Sequence, residues 1–208
     1  LRLQDEGAQT LDLVSPTHFA PQIARALERA KPRLRIPVVY NSNGYDSPEA
    51  LGMMDGLVEI YLPDLKYKDA ALSKAYSGAA DYFDVAQAAI QEMYRQTGPL
   101  QWGANGVLQR GLMVRHLLLP GCRKDSMAVL EALSRLAPPR HILLSLMSQY
   151  TPCYRAAAYK EIDRRVTDFE IDSVRDYAVR LGFEGYGQAR SACLLYTSPS
   201  PRDVEESR

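Results

Sequence analysis

Short apolar runs that stop abruptly in polar or turn residues recur along this 208-residue chain. Leu11-Asp12-Leu13-Val14 runs into Ser15-Pro16-Thr17-His18, the stretch 37–40 into Asn41-Ser42-Asn43-Gly44, the stretch 57–62 into Pro63-Asp64-Leu65-Lys66, and the stretch 112–119 into Pro120-Gly121. A β-rich run, a group of reactive side chains and then a helical stretch is the order in which an α/β barrel sets chemistry at the C-terminal ends of its strands. The pattern demands alternating strand and helix, and it points to an enzyme.

The intervening stretches supply the helices. Phe19, Ile23 and Leu27 recur every four residues and predict a helix over 18–30 with these side chains on one face. Pro48 suits the first turn of a short helix over 48–54. A polar and aromatic connection through Tyr67 and Tyr76 leads to a helix over 85–96, stopped by Gly98 and Pro99. Residues 101–110, with Trp102-Gly103 and Asn105-Gly106, read as a loop into a strand over 111–119. A helix over 126–136 closes at Pro138-Pro139, and a strand over 141–147 opens into Ser148-Gln149-Tyr150-Thr151-Pro152. Thr167-x-x-Glu170 is a capping box, Ile171, Val174, Ala178 and Leu181 form the stripe of the helix behind it, and Gly182 ends that helix. Such alternation implies a parallel sheet with crossovers. An open doubly wound sheet and a barrel both satisfy it; the polar strand endings favour the barrel, and neither G-x-G-x-x-G nor a Walker A sequence marks a nucleotide-binding sheet.

Charge and composition narrow the partners. Twenty-five basic residues balance 25 acidic ones, which argues against electrostatic binding to nucleic acid. No apolar run approaches the roughly 20 residues that cross a bilayer, and the N-terminal residues lack a signal-peptide shape, so the default expectation is a cytoplasmic protein without a membrane partner. Cys122, Cys153 and Cys193 lie far apart and read as free thiols. Leu1 opens what reads as the last turns of a helix stopped by Gly7, and residues 191–208 resemble the read-through of a sequencing adaptor. The expectation is one domain over 1–190, cut at both ends, followed by a disordered artefactual tail.

The strand endings together carry a family resemblance. Val14-Ser15-Pro16-Thr17-His18-Phe19, Pro37-Val38-Val39-Tyr40-Asn41-Ser42-Asn43-Gly44-Tyr45, Ile60-Tyr61-Leu62-Pro63-Asp64-Leu65-Lys66-Tyr67 and Val114-Arg115-His116-Leu117-Leu118-Leu119-Pro120-Gly121 resemble radical S-adenosylmethionine proteins related to pyruvate formate-lyase activating enzyme. They come nearest an uncharacterised branch with T/S-P-T-H where the activases carry G-G-E. The resemblance covers nearly all of 1–190, including Glu161-Ile162-Asp163-Arg164-Arg165 and Leu181-Gly182-Phe183-Glu184. It implies a partial (β/α) TIM-like barrel of parallel strands, lacking the first βα unit, in which a 4Fe-4S iron–sulfur cluster reductively cleaves S-adenosylmethionine to a deoxyadenosyl radical. The family holds its cluster on C-x-x-x-C-x-x-C, which this chain lacks, so the cluster ligands would lie upstream and the fragment alone would be inactive. The activases abstract hydrogen from a glycyl-radical-type protein substrate and need an electron donor; both are implied as partners.

S-adenosylmethionine presents an ammonium, a carboxylate, a ribose diol and an adenine, so its site needs acceptors, a cation and a flat wall. Asp64 and Lys66 share a strand parity and would hold the ribose or the amino-acid end, or else form an inward ion pair at the barrel mouth. Asn41, Ser42 and Asn43 resemble the activases' D-T-N-G strand end, although a plain turn explains Asn43-Gly44 as well. Ser15, Thr17 and His18 stand in the place of G-G-E, with His18 equally suited to capping a helix. Arg115 and His116 point to opposite faces, so at most one meets the lumen. Gln149 and Tyr150 end the last strand at the same mouth, and Tyr150 reads equally as a packing residue. His141, at the opposite rim, reads as structural. Two rival readings stand beside this one: a non-redox barrel lyase or aldolase with Lys66 as Schiff-base amine beside Asp64, and a non-catalytic barrel that serves as a binding module.

Overall fold

The computed structural model describes residues 1–104 and 106–188. Asn105 and the expected tail, with Cys193, lie outside the described residues. In chain order the elements are α1 (Arg2–Asp5), β1 (Leu11–Val14), α2 (Ala20–Ala30), β2 (Val38–Ser42), α3 (Pro48–Gly52), β3 (Ile60–Pro63), α4 (Ala70–Ser77), α5 (Tyr82–Thr97), β4 (Gln101–Trp102), β5 (Leu108–Leu117), α6 (Arg123–Leu136), β6 (Ile142–Met147), α7 (Asp168–Arg180) and β7 (Glu184–Gln188). The strands form one sheet in the order β1-β2-β3-β5-β6-β7, and β4 pairs β5 off this path. Every pairing along the path is parallel; β4 against β5 is antiparallel.

The core decides between the two architectures that the sequence leaves open. Val38, Tyr40, Tyr61, Leu112, Val114, Ile142 and Leu144, all of one strand parity, pack in a single cluster with Leu27 of α2, Leu51 of α3, Ile90 of α5, Leu130 of α6 and Val174 of α7. The other parity, Val39, Ile60 and Leu143, packs only against Leu108 and the half-buried Leu62, Leu100 and Met113. All the long helices thus cover one face of the sheet, as in a barrel wall, whereas a doubly wound sheet has helices on both. Ile90, Leu112, Leu130 and Ile142 are fully buried, and each such side chain contributes about 1.5–3 kcal/mol.

Local chemistry explains where the elements depart from the sequence expectation. Helix α4 replaces part of the expected loop: the Asp69 side chain accepts from the Ala71 and Leu72 amides, and Gly78 at φ +74° closes the helix. Strand β4 pairs antiparallel with the start of β5 in place of the expected plain loop. This pairing folds Leu100 over Gly111, where an added Cβ would meet the Leu100 side chain at 2.8 Å. Phe19 is exposed instead of lying on the α2 stripe, because residues 16–19 wind as a 3-10 turn out of phase with the helix that follows. Strand β7 adds an edge that the apolar runs did not signal, its residues 184–187 being exposed. The capping box forms as expected, with Thr167 accepting from the Glu170 amide and Glu170 from the Thr167 amide.

Candidate functional site

Parallel register brings β3 and β5 side by side at their C-terminal ends, where Asp64 bridges Arg115. Both belong to the parity of the helix-free inner face, as do Asn41 of β2 and Ser145 of β6, which pairs with Arg115. Arg115 Nε donates to Asp64 Oδ1 at 2.8 Å, and its Nη2 lies 2.6 Å from the same oxygen. The other carboxylate oxygen, Oδ2, faces Lys66 Nζ at 3.8 Å. Two cations meet one carboxylate, so the cluster carries a formal surplus of positive charge. The three side chains are partly exposed, at 16% for Asp64, 27% for Arg115 and 36% for Lys66, and therefore remain reachable. Chemically, this is a receptor for a carboxylate beside an acceptor for hydroxyl or ammonium protons.

Tyr82 and Gly44 hold the loop after β2 against the cluster and Asp46 ties the neighbouring strand end; sequence reading named neither Tyr82 nor Asp46. The Tyr82 hydroxyl lies 3.0 Å from both the Asn43 and the Asp64 carbonyl oxygens and accepts from the Lys66 amide at 3.2 Å. It ties the loop after β2 to the end of β3, and burial pushes its pKa up. Gly44 makes that approach possible: its φ is +79°, and a Cβ there would lie 2.1 Å from the Asp64 carbonyl oxygen. Asp46 is fully buried and accepts three hydroxyls, Thr17 at 2.5 Å, Tyr40 at 3.0 Å and Ser42 at 2.5 Å. The sequence signal for Asp46 was available in the run Asn43-Gly44-Tyr45-Asp46, but nothing local distinguishes a buried acid from a turn residue.

The candidates separate accordingly. Asp64, Lys66 and Arg115 come together, with half-buried Asn41 on the same face. Thr17 and Ser42 are drawn away to Asp46, and Ser42 belongs to the helix face, which corrects its expected position in the cradle. His116 is likewise corrected: it is fully buried on the helix face with Nδ1 2.7 Å from the Leu65 carbonyl oxygen, so that nitrogen carries the proton, and burial holds its pKa below the usual value. Asn43 forms a turn, its Oδ1 accepting from the Tyr45 amide at 2.9 Å. Ser15 and His18 are exposed, Ser15 at φ +52°, and no side chain caps α2. Gln149 is half-buried with a buried Oε1 that has no partner among the described residues. The Tyr150 hydroxyl donates to the Ile162 carbonyl, and Tyr150 lines a separate cavity with Tyr67 and Tyr76. His141 packs at the other rim, 2.8 Å from the Tyr94 hydroxyl.

The residues present fit one half of the implied cofactor pair. Cations, an acceptor, an orphaned Gln149 oxygen and a glycine loop suit S-adenosylmethionine. The cluster does not fit: among the described residues no group of three or more His, Cys, Asp or Glu could hold a metal ion. Cys122, half-buried at the N-cap of α6, has its thiol pushed up to about 11 by burial and by the nearby carboxylates.

Comparison with known proteins agrees with the architecture. No family model matches the chain. It is 27% identical over 154 residues to the uncharacterized protein MJ0674 of Methanocaldococcus jannaschii, an alignment spanning 72% of this chain and 40% of that protein. The chain therefore spans about two fifths of the curated relative it matches. Among solved structures it is similar to a domain of pyruvate-formate lyase-activating enzyme from Bacteroides vulgatus, with a TM-score of 0.61 and 15% identity over 86% of this chain and 98% of that one. A radical SAM methyltransferase from Sphaerobacter thermophilus aligns with a TM-score of 0.53 and 15% identity over 90% of this chain and 53% of that one. At 15% identity these likenesses show the fold alone, a TIM-barrel-like arrangement of parallel strands and helices. No helix among the described residues is long and apolar enough to cross a membrane.

Proposed function

We propose that this chain carries the S-adenosylmethionine cradle of a radical S-adenosylmethionine protein of the activating-enzyme type. The observation that carries the reading is Asp64 held between Arg115 and Lys66 at the strand ends of the helix-free face. Arg115 and Lys66 would receive the amino-acid carboxylate, and Asp64 would accept from the ammonium or the ribose diol. Asn41 and the unpartnered Gln149 oxygen would supply further polar contacts. The described residues would contribute binding and orientation of S-adenosylmethionine; any one-electron chemistry would need an iron–sulfur cluster held by ligands other than these. Among the described residues no helix packs on the inner face, which would leave a protein substrate of the glycyl-radical type a route to that site, and an electron donor would complete the set of partners. The aldolase reading gains no such support, because Lys66 faces Asp64 and is 36% exposed, whereas a Schiff-base amine needs desolvation.

Calorimetric titration with S-adenosylmethionine tests the reading. Binding at millimolar concentrations or below is expected, weakened about tenfold or more in Arg115→Gln, since a charge-assisted pair is worth about 1.5–3 kcal/mol. No binding, or equal affinity in Arg115→Gln with an unchanged melting temperature, would overturn it.

A further inference from the structure

A second cavity of about 640 Å³ opens at the C-terminal rim of the sheet, and neither Asp64, Lys66 nor Arg115 contributes to it. Tyr67, Tyr76, Tyr150 and Tyr159 line it, together with Lys74 and Arg155. Its volume lies within the range of about 300–1,000 Å³ typical of small-molecule sites.

The four tyrosines are fixed by their hydroxyls. Tyr76 donates to Glu161 at 2.8 Å, Tyr150 to the Ile162 carbonyl at 3.0 Å and Tyr159 to the Ala75 carbonyl at 3.0 Å, while Tyr67 accepts from Ser77 at 3.2 Å. With each phenol engaged in the protein, ring carbons are left as wall. The rings also brace one another: Tyr67 and Tyr76 lie 6.2 Å apart, and Tyr159 stands edge-on to Tyr76 at 5.2 Å. Rings positioned in advance lose little entropy when another ring enters, and edge-to-face or offset contacts favour a further aromatic ring over an aliphatic one.

The charges at this cavity are of one sign. Lys74 and Arg155 are exposed, neither side chain forms an ion pair or hydrogen bond among the described residues, and no carboxylate lines the cavity. Glu161, which accepts from the Tyr76 hydroxyl, lines a different hollow. That hollow, also about 640 Å³, mixes Lys68 and Lys124 with Asp69, Asp125 and Glu161, so its charge selects no ligand. The backbone sets the aromatic cavity apart as well. Among the described residues only two non-glycine positions have positive φ, Ser15 beside the cradle and Tyr154 at this rim, the latter at +54° and 94% exposed. Such conformations are strained and gather at ligand-holding segments.

From these observations we infer that the cavity binds a planar aryl carboxylate, its ring against the tyrosine wall and its carboxylate at Lys74 and Arg155. This site stands independently of the S-adenosylmethionine reading, because it shares no charged residue with the cradle.

Titration of the chain with 2-naphthoate, 2-naphthylmethanol and cyclohexanecarboxylate, followed by calorimetry, separates the two contributions. The aryl carboxylate is expected to bind at millimolar concentrations or below, with the alcohol and the non-aromatic acid each about tenfold weaker or more. The double variant Lys74→Gln/Arg155→Gln should weaken 2-naphthoate about fivefold or more, as two partly screened charge contacts predict. The control Lys68→Gln/Lys124→Gln should leave it unchanged. Equal binding of the alcohol or of the non-aromatic acid, absence of 2-naphthoate binding, an unaffected Lys74/Arg155 double variant, or equal weakening in the control would each overturn the inference.

Discussion

Arg115 and His116 are neighbours in β5, yet they serve opposite faces of one sheet. Arg115 reaches the inner face, pairs with Asp64 and stays 27% exposed; His116 is buried under the helices with Nδ1 on a carbonyl. Strand β2 repeats the contrast, with Asn41 on the inner face and Tyr40 and Ser42 bonded to Asp46 on the other. The pleat alone makes the difference, because alternate side chains point to opposite sides. On the helix face a polar group must be consumed by internal bonds, so its residues define architecture. On the inner face the same residue types keep unfilled valence for a ligand.

If the helix face is architectural, damage there or at the hinge between faces should cost the most stability. Gly44→Ala adds a Cβ 2.1 Å from the Asp64 carbonyl oxygen at a φ of +79°, and the expected loss is about 3–5 kcal/mol by urea denaturation. Asp46→Ala should follow at about 2–4 kcal/mol, since three buried or half-buried hydroxyls lose their acceptor. A loss under about 1 kcal/mol in Asp46→Ala would mean that the hydroxyls find other partners and that the two faces are less distinct than the geometry implies.

Much of the fold was legible in the sequence because periodicity and end signals are local. Leu11–Val14 forms over the expected residues, and Thr167 and Glu170 build the expected box. Helix α4 was missed because Ser73, Lys74 and Ala75 interrupt any apolar stripe, although Asp69 and Gly78 were both available as end signals. Of the site, alternation gave the Asp64 and Lys66 parity and the opposition of Arg115 to His116. The Asp64–Arg115 pair itself was not legible, for it depends on β3 pairing β5 across 51 residues of chain. Nor was the role of Tyr82 or Asp46, whose partners come from three separate elements. Local pattern names faces; only tertiary register names partners.

The buried histidine offers a pH test of the same contrast. Burial lowers the folded-state pKa of His116 below the ordinary value of 6.5, so the unfolded chain binds more protons in the window beneath that value. Stability should therefore be fully present above pH 6.5 and fall on acidification, by at most about 1.4 kcal/mol per pH unit. Asp125, raised by burial, works in the opposite direction at lower pH. His116→Gln should flatten the slope between about pH 5.5 and 6.5 in urea titrations. An unchanged slope would assign the acid sensitivity to another group.

The smallest stability effect should come from the residue on which the functional reading depends most. Arg115→Gln removes a guanidinium that is 27% exposed, and Lys66 remains at 3.8 Å to balance Asp64, so no carboxylate is left buried without a cation. Partly exposed ion pairs contribute about 0–1 kcal/mol, and the melting temperature should scarcely move. Ligand affinity should respond in the opposite measure, because the surplus positive charge on the inner face disappears with that one substitution. A variant that unfolds by several kcal/mol would identify Asp64–Arg115 as a strut of the barrel wall, equivalent to Asp46 on the other face. A variant that stays folded yet loses the anion separates the two faces by function, which is the distinction the strand parity drew in the first place.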